Sequence, residues 1–262
     1  MEVLIAATPE EAAQFAAEAV LEGLQTRTEG HNVLGVATGS TPLGLYGELA
    51  KAVKNGEADF SNTIAFALDE YVGLESTHKQ SYRQTLIQEL CKVIGLPEAN
   101  LNTPNGFGDS EEQIRKQAAA YDAAIVAAGV DVQILGIGTN GHIGFNEPGS
   151  SLRSRSRIKR LSNKTREDNA RFFDGIDQVP THSVTQGLGT ILEARRVVLI
   201  ATGSNKAEAI ATALEGPLSS ACPGSAVQLH PDAVIVLDEA AAAGLKNRLY
   251  YDDSAAGLQF GI

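Results

Sequence analysis

Short apolar runs alternate along the chain with longer segments in which small apolar residues recur at helical spacing. Six of the runs predict strands covered on both faces, because they are apolar throughout rather than alternating. These six predicted strands cover residues 3–7, 33–37, 63–68, 132–137, 197–201 and 233–237. Strands separated by helices predict an open, doubly wound, mostly parallel α/β sheet with helices on both faces, a Rossmann-like arrangement.

Two of the intervening helices carry clear start signals. Thr8 is followed by Pro9 and then by Glu11, the pattern of a capping box with proline in the first turn. Ser110 begins a second such pattern, in an Ala-rich helix that Gly129 is predicted to end. No repeat or linker divides the chain, so residues 1–262 are predicted to form a single α/β domain.

The segment from about residue 150 to residue 180 differs from the rest of the chain. It is polar, highly charged and poor in strand signals. We expect it to form a helical, mobile lid over the edge of the sheet.

Composition narrows the class of protein. The 262 residues carry 21 Lys+Arg against 32 Asp+Glu, a net charge of -11 that disfavours binding to nucleic acid. Two distant cysteines, Cys91 and Cys222, fit a reduced cytoplasmic setting rather than a disulfide framework. The first residues show neither a basic signal region nor a long apolar stretch, so we expect no signal peptide and no membrane span.

Candidate chemistry follows the predicted strands, since ligands of open parallel sheets bind beyond the carboxyl ends of the strands. The first such turn contains Thr38, Gly39, Ser40 and Thr41, followed by Pro42. Glycine permits close backbone approach, and a helix capped by Ser40 or Thr41 would present free N–H groups to an anion. The alternative is a plain strand–turn–helix cap. The Gly-Lys-Ser/Thr ending of a P-loop is missing.

Lys206 lies in a second strand-to-helix turn, after Gly203, Ser204 and Asn205. A cation in a first helical turn opposes the helix dipole, so the position favours a bound anion such as phosphate. The alternative is an exposed lysine on an amphipathic helix.

Asp69 and Glu70 directly follow the third predicted strand. Because side chains alternate across a strand, we expect only one of these carboxylates to face the site. A carboxylate there could serve as the general base for a carbon-bound proton. The competing interpretation is a helix cap or a loop hydrogen bond.

Gly136, Gly138 and Gly141 match the spacing of a dinucleotide-binding motif. The context disfavours that function, because Pro148 interrupts the expected helix and a basic residue, Lys159, occurs where an acidic one is needed. The glycines instead predict a tight loop that presents His142 and Glu147 for proton transfer. No metal-ligand spacing occurs nearby, so no metal is predicted.

The cations of this acidic chain are concentrated in one segment. Eight of the 21 lie at Arg153, Arg155, Arg157, Lys159, Arg160, Lys164, Arg166 and Arg171, with only Glu167 and Asp168 opposing them in the segment. Such a segment is typical of a solvated helical face or of a basic rim for a phosphorylated small molecule.

In combination, these motifs resemble the glucosamine-6-phosphate deaminase family over nearly the whole chain. The resemblance is carried by TGSTP at 38–42, LDEYVG at 68–73, NGHIGFNEP at 140–148, SRSRIK at 154–159, RFFD at 171–174 and GSNK at 203–206. It implies conversion of glucosamine 6-phosphate and water to fructose 6-phosphate and ammonia, without a cofactor.

The resemblance also implies roles for individual residues. His142 would assist opening of the sugar ring with Glu147 tuning it, and Asp69 would move a proton between C2 and C1. Thr38 to Thr41, Arg171 and Lys206 would bind the phosphate, and Phe172 and Phe173 would belong to the lid. Asn140 occupies a position where the enteric form has Asp, so this partner of His142 cannot ionise here.

Allosteric members of the family bind N-acetylglucosamine 6-phosphate between subunits. Ser150, Ser151, Arg157 and Lys159 match positions of that site, whereas the tail at residues 259–262 does not resemble the enteric tail that completes it. The resemblance therefore leaves both the regulation and a homo-oligomer open.

Two other functions compete with this interpretation. A 6-phosphogluconolactonase-like hydrolase has a similar fold and phosphate turn, but its loop continues differently after the histidine, and lactone hydrolysis needs no carboxylate placed like Asp69. A non-catalytic sugar-phosphate sensor domain of a transcription regulator would need a DNA-binding segment, and this chain begins directly with a predicted strand.

Overall fold

The computed structural model describes residues 1–27 and 29–257, and within them all six predicted strands are present. Their ends differ from the predicted ones by at most two residues. The strands are β1 Glu2–Ala6, β2 Asn32–Val36, β3 Thr63–Ala67, β4 Asp69–Tyr71, β5 Leu101–Asn102, β6 Val132–Leu135, β7 Arg157–Arg160, β8 His182–Thr185, β9 Arg196–Ala201 and β10 Ala233–Asp238.

Seven strands form the central sheet, in the order β1-β10-β9-β6-β2-β3-β5, and every pair is parallel. From β2 the chain proceeds to β3 and β5 on one side, and from β6 it proceeds to β9 and β10 on the other. The direction of winding therefore reverses between β2 and β6. Such a switch point leaves a crevice at the carboxyl ends of the strands.

Both faces of the central sheet are covered, as predicted. In β10, Ile235 and Leu237 belong to the apolar core on one face, whereas Val234 and Val236 belong to the core on the other. Since successive side chains of a strand point to opposite faces, a strand buried on both must be apolar at every position.

Helices pack on the two faces. Their bounds are α1 Pro9–Gln25, α2 Ser40–Lys54, α3 Tyr82–Leu86, α4 Lys92–Ile94, α5 Glu111–Ala128, α6 Asn163–Asn169, α7 Leu188–Ile191, α8 Ala207–Glu215, α9 Glu239–Ala242 and α10 Arg248–Gly257. Thr8 and Ser110 cap α1 and α5 by accepting the backbone N–H of Glu11 and Gln113, and Gly129 ends α5. These capping predictions are confirmed.

A second, three-stranded antiparallel sheet in the order β4-β8-β7 lies beside the carboxyl ends. The expectation of helix and loop at 150–180 missed one strand, because β7 lies within the segment. β7 reads Arg-Ile-Lys-Arg and is only half-buried, so it lacks the apolar run by which a core strand is recognised. The segment also contains α6 and two short 3-10 turns.

Two further predictions concern membrane-spanning helices and the C-terminal tail. In the described ranges, no helix is long and apolar enough to cross a membrane. The tail at 259–262 lies outside the described residues.

Candidate active site

The sheet order brings the predicted segments to one edge. The turns after β2, β6 and β9 follow three adjacent strands, and Asp69 comes directly after β3, the next strand beyond β2. The site therefore lies at the switch point of the sheet.

The turn after β2 places a helix start at this edge. Gly39 adopts a positive φ of 109° and is itself the N-cap residue, so the prediction that Ser40 or Thr41 caps the helix is wrong. Within the described residues, no side chain caps the first turn of α2. The backbone N–H groups of this first turn are therefore free to bind an anion, together with the hydroxyls of Thr38, Ser40 and Thr41.

The turn after β9 presents Lys206. Gly203 has a φ of 90°, and residues Ser204–Lys206 form a 3-10 turn that leads directly into α8. The Lys206 ammonium donates a 2.7 Å hydrogen bond to the carbonyl of Ile137, in the loop after β6. Burial lowers the pKa of Lys206; the charge of Asp168 opposes this shift, and the charge of Arg171 reinforces it.

The loop after β6 is a series of turns. A dinucleotide-binding motif would have opened a helix here, so the prediction against such a site is consistent with the fold. The N–H of Gly138 donates to the carbonyl of His142 at 2.9 Å. A Cβ added to Gly138 would lie 2.2 Å from Cε1 of the His142 ring, so only glycine leaves room for this ring. Gly141 turns the chain with a φ of 82°.

His142 takes part in a hydrogen-bonded chain with Asn140 and Glu147. Asn140 Nδ2 donates to Glu147 Oε2 at 2.9 Å, which leaves Asn140 Oδ1 as the acceptor 2.7 Å from His142 Nδ1. This geometry assigns the proton of the neutral ring to Nδ1 and leaves Nε2 as a base. Burial lowers the pKa of His142 and outweighs the opposing effect of Glu147.

Glu147 remains ionised although it is largely buried. Burial raises its pKa, but hydrogen bonds from Thr165 Oγ1 to Oε1 at 2.5 Å and from the Ser162 N–H to Oε1 at 3.0 Å outweigh burial. The net effect is a lowered pKa. The hydrogen-bonded chain therefore has a fixed anion, Glu147, at one end and the neutral imidazole of His142 at the other.

Asp69 begins β4 opposite Thr185 of β8. Its carboxylate is buried and lies against the loop that carries His142, since a Cβ added to Gly144 would be 3.4 Å from Asp69 Oδ2. Burial, and secondarily the charge of Glu70, raises the pKa of Asp69 to about 8. A carboxyl group with this pKa can both take and return a proton near neutral pH.

The neighbouring carboxylate has a different role. Glu70 accepts the backbone N–H groups of Tyr82 and Arg83, both at 3.0 Å, at the start of α3. It also accepts the N–H of Tyr71 at 2.8 Å. Of the two adjacent carboxylates, Glu70 thus holds a helix start, while Asp69 lies beside the His142 loop.

Comparison with known proteins identifies the family of this chain. Residues 7–236 match the model of the family described as glucosamine-6-phosphate isomerases/6-phosphogluconolactonase. The chain belongs to this family. A glucosamine-6-phosphate deaminase of Rhodococcus jostii is 53% identical over 252 residues, 96% of this chain and 95% of the relative. That of Streptomyces avermitilis is 51% identical over 259 residues, 98% and 97% of the two chains.

Solved structures agree with the family assignment and with the predicted fold class. A monomeric glucosamine-6-phosphate deaminase matches with a TM-score of 0.87 and 38% identity, covering 93% of this chain and 100% of that chain. A 6-phosphogluconolactonase from Trypanosoma brucei matches with a TM-score of 0.73 over 93% and 98% of the chains. Its identity is 18%, so this likeness shows the shared fold alone.

The basic segment of this family member is partly neutralised by residues distant in sequence. Arg155 pairs with Asp122 at 2.8 Å and with Glu193 at 2.6 Å, and Lys164 pairs with Asp168 at 2.7 Å. Besides the two acids within the segment, Asp122 and Glu193 from elsewhere in the chain therefore oppose its positive charge. Arg171 is exposed and stacks on Phe172, with its guanidinium carbon 4.7 Å from the ring centroid.

Of the four residues matched to the family's allosteric site, two make hydrogen bonds inside the protein. Ser150 is buried and donates to the carbonyl of Glu147 at 2.6 Å, and Arg157 donates to Asn146 Oδ1 at 2.9 Å. Ser151 is exposed, and Lys159 is half-buried two residues along β7 from Arg157. Arg157 thus contacts the loop after β6 from the small sheet, whereas Ser150 bonds to Glu147 within the same stretch of chain.

Sequence reasoning missed Ser162 and Thr165, which hold Glu147. Ser162 is the N-cap of α6 and accepts the Thr165 N–H at 3.1 Å. A Ser-x-x-Thr pattern is a recognisable helix start, so the sequence could have located α6. It could not have indicated that this helix start faces Glu147.

A cavity of about 360 Å³ lies on the far side of β4 from the His142 loop. It is lined by Glu70, Leu74, Ser76, Arg83, Leu101, Asn102, Thr103, Pro104, Asn105, Gly106 and Tyr121. None of the predicted catalytic or phosphate-binding residues lines it. The carboxylate of Glu70 and the guanidinium of Arg83 are both bonded to backbone groups there. We therefore assign the chemistry to the switch point and not to this cavity.

Proposed function

We propose that this protein converts glucosamine 6-phosphate and water to fructose 6-phosphate and ammonia. The observation that carries the proposal is the buried Asp69 carboxylate beside the loop of the His142–Asn140–Glu147 chain, at an edge that also carries two phosphate-binding turns. Relatives at 53% and 51% identity over almost their full length are named for this reaction.

The phosphate is the proposed anchor of the substrate. Free N–H groups at the start of α2 and the ammonium of Lys206 face the same edge. The charges of Asp168 and of the exposed Arg171 both act on the partly buried Lys206, so a second cation lies within electrostatic reach of the Lys206 ammonium. This arrangement is favourable when a dianionic phosphate lies between them, and the anchor sets the position of the sugar carbons.

His142 is proposed to open the pyranose ring. Its neutral Nε2 can take the proton from the anomeric hydroxyl and return a proton to the ring oxygen, which gives the open-chain aldehyde. Glu147, acting through Asn140, keeps Nδ1 protonated and supports the imidazolium that forms during the transfer.

Asp69 is proposed to move the carbon-bound proton. It takes the proton from C2 while the aldehyde oxygen O1 gains a proton, giving an enolamine. It then returns its proton to C1 while the amine nitrogen gives up a proton, which leaves a C1 hydroxyl and an imine at C2. Water adds to the imine carbon and ammonia leaves, so the nitrogen and oxygen atoms balance. The raised pKa of Asp69 suits both proton transfers near neutral pH.

The competing functions are not favoured. The 6-phosphogluconolactonase structures share only the fold with this chain, at identities of 18–20%. The sensor interpretation gives no role to the Asp69 carboxylate. Four expectations stay predictions: a cytoplasmic location, a homo-oligomer, movement of the 150–180 segment, and regulation through Ser150, Ser151, Arg157 and Lys159.

A direct assay tests the proposal. The purified protein is mixed with glucosamine 6-phosphate, and ammonia and fructose 6-phosphate are both quantified. We expect equal amounts of the two products. Ammonia no higher than in the enzyme-free blank would refute the activity, and turnover of 6-phosphogluconolactone instead would favour the hydrolase.

A further inference from the structure

The start of α6 is bonded to the carboxylate of Glu147. Thr165 is 3% exposed, and its hydroxyl lies 2.5 Å from Glu147 Oε1, which also accepts the Ser162 N–H at 3.0 Å. These two residues belong to the segment predicted to form the lid, whereas Glu147 belongs to the loop after β6. The contact therefore joins the lid segment to the His142 chain.

The hydrogen bonds of Thr165 have a defined direction. An ionised carboxylate can only accept, so the Thr165 hydroxyl donates its proton to Glu147. Its oxygen in turn accepts the hydroxyl of Ser162 at 2.9 Å. The Ser162 hydroxyl thus donates to Thr165, and the Thr165 hydroxyl donates to Glu147 Oε1. Asn140 donates to the other carboxylate oxygen, Glu147 Oε2, at 2.9 Å.

The same segment is also bonded beside Asp69. Asn169, at the end of α6, donates to the Tyr71 hydroxyl at 3.0 Å, and Phe173 packs edge-on against the Tyr71 ring with centroids 5.6 Å apart. Tyr71 lies two residues from Asp69 on β4. Contacts from α6 and the residues that follow it thus reach both the Glu147 carboxylate and the neighbour of Asp69 on β4.

We propose that Thr165 is a positioning residue, which holds Glu147 in place for the hydrogen-bonded chain to His142. This inference rests on the proposed function and adds a residue of α6 to the groups on which acid–base catalysis depends. Without the Thr165 hydroxyl, Glu147 would lose one of its two Oε1 donors and would be less firmly held as the anion of this chain.

Several groups act on the pKa values of Glu147 and His142. His142 faces Glu147 from its own loop, and Lys206 and Asp168 act on His142 from the turn after β9 and from α6. Because the Thr165 hydrogen bond lowers the pKa of Glu147, its removal must raise that pKa.

The test replaces Thr165 by valine, which keeps the shape and removes the hydroxyl. Thr165→Ser keeps the hydroxyl and should rescue the function. Thr190→Val is the matched control, because Thr190 is 2% exposed and donates to the Asp122 carboxylate at 2.6 Å, in a contact outside the proposed catalytic and phosphate-binding groups. All three are compared with the wild type for kcat, KM, thermal stability and the ¹³C NMR titration of the Glu147 carboxyl carbon, assigned with Glu147→Gln.

For Thr165→Val we expect kcat to fall about tenfold or more with KM changed less than about threefold, and the Glu147 midpoint to rise by about one pH unit. Thr165→Ser should stay within about threefold of the wild type, and Thr190→Val should lose only stability. An unmoved Glu147 midpoint, or a Thr165→Val variant that loses stability alone, would overturn the proposal. A wild-type protein without turnover would refute the function instead, while the Glu147 titration would still test the contact.

Discussion

The Oδ1 atom of Asn140 lies 2.7 Å from Nδ1 of His142. Because the amide nitrogen of Asn140 is engaged by a carboxylate, the amide cannot turn over, and it accepts the imidazole proton without carrying a charge. An aspartate at this position would instead pair the same ring with an anion.

Asn140→Asp should therefore raise the pKa of His142. The new carboxylate would lie next to the ring and favour the imidazolium by about one pH unit or more. The measurement is the ¹H–¹³C NMR titration of the His142 Cε1–H signal, assigned with His142→Gln. Asn55→Asp, in a remote exposed turn, serves as the control. A His142 midpoint that is unchanged or lowered would contradict the geometry described for this chain.

Gly138→Ala should abolish most of the activity while the fold is retained. The added methyl group would lie 2.2–2.5 Å from three atoms of the His142 ring, and the ring must move. A displacement of about 1 Å at a catalytic group costs about 100-fold in rate. Gly136→Ala, in the same loop, meets nothing within 4 Å and is the matched control for steady-state kinetics. Equal activity of the two variants would show that the ring has room.

Lys206→Met should weaken the binding of phosphate. Loss of the ammonium removes one of the charge-assisted bonds to the anion, so the inhibition constant for inorganic phosphate and the KM for the sugar phosphate should both rise about tenfold or more. The exposed Lys246 offers a control, since Lys246→Met keeps the same change in net charge. If both variants were inhibited by phosphate like the wild type, Lys206 would not belong to the anion site.

Asp69→Asn should change how stability depends on pH. The native Asp69 carboxyl keeps its proton up to about pH 8, whereas its unfolded counterpart ionises near the ordinary value of 3.8. The unfolded state therefore binds fewer protons between these values, and this group makes the protein less stable as the pH rises from about 4 to 8. The neutral amide of the Asp69→Asn variant does not ionise, so the variant lacks this loss of stability with rising pH.

Urea unfolding at pH 5 and pH 8 measures this effect. The loss of unfolding free energy between the two pH values should be smaller in Asp69→Asn than in the wild type, by up to about 3 kcal/mol. Identical losses would mean that the Asp69 carboxyl ionises with an ordinary pKa in the folded protein.

Much of the central sheet could be predicted from the sequence. Strands such as β9 and β10 are apolar at every position, because both of their faces are buried, and this leaves an unambiguous signal. The turns after these strands could also be placed at one edge, since the ends of parallel strands converge. That rule alone brings the loop of His142 and the turn of Lys206 together.

Other features depend on contacts that no local pattern reports. β7 is charged and half-buried, so its pairing with β8 across more than twenty residues has no apolar signature. The bond between Thr165 and Glu147 joins residues 18 apart. Glu70 resembles Asp69 in sequence, yet its carboxylate binds backbone N–H groups of α3, a partner that only the fold supplies.

The most direct test of the proposed chemistry is the reaction in deuterated water. Wild-type protein should release ammonia and give fructose 6-phosphate that carries solvent deuterium at C1 in the turnovers in which the proton held by Asp69 exchanges with solvent before its return, as read by NMR. Asp69→Asn should still bind the sugar phosphate, measured by calorimetry, but neither release ammonia nor exchange the C2 proton. Exchange or deamination at the wild-type rate in Asp69→Asn would contradict the assignment of Asp69 as the base.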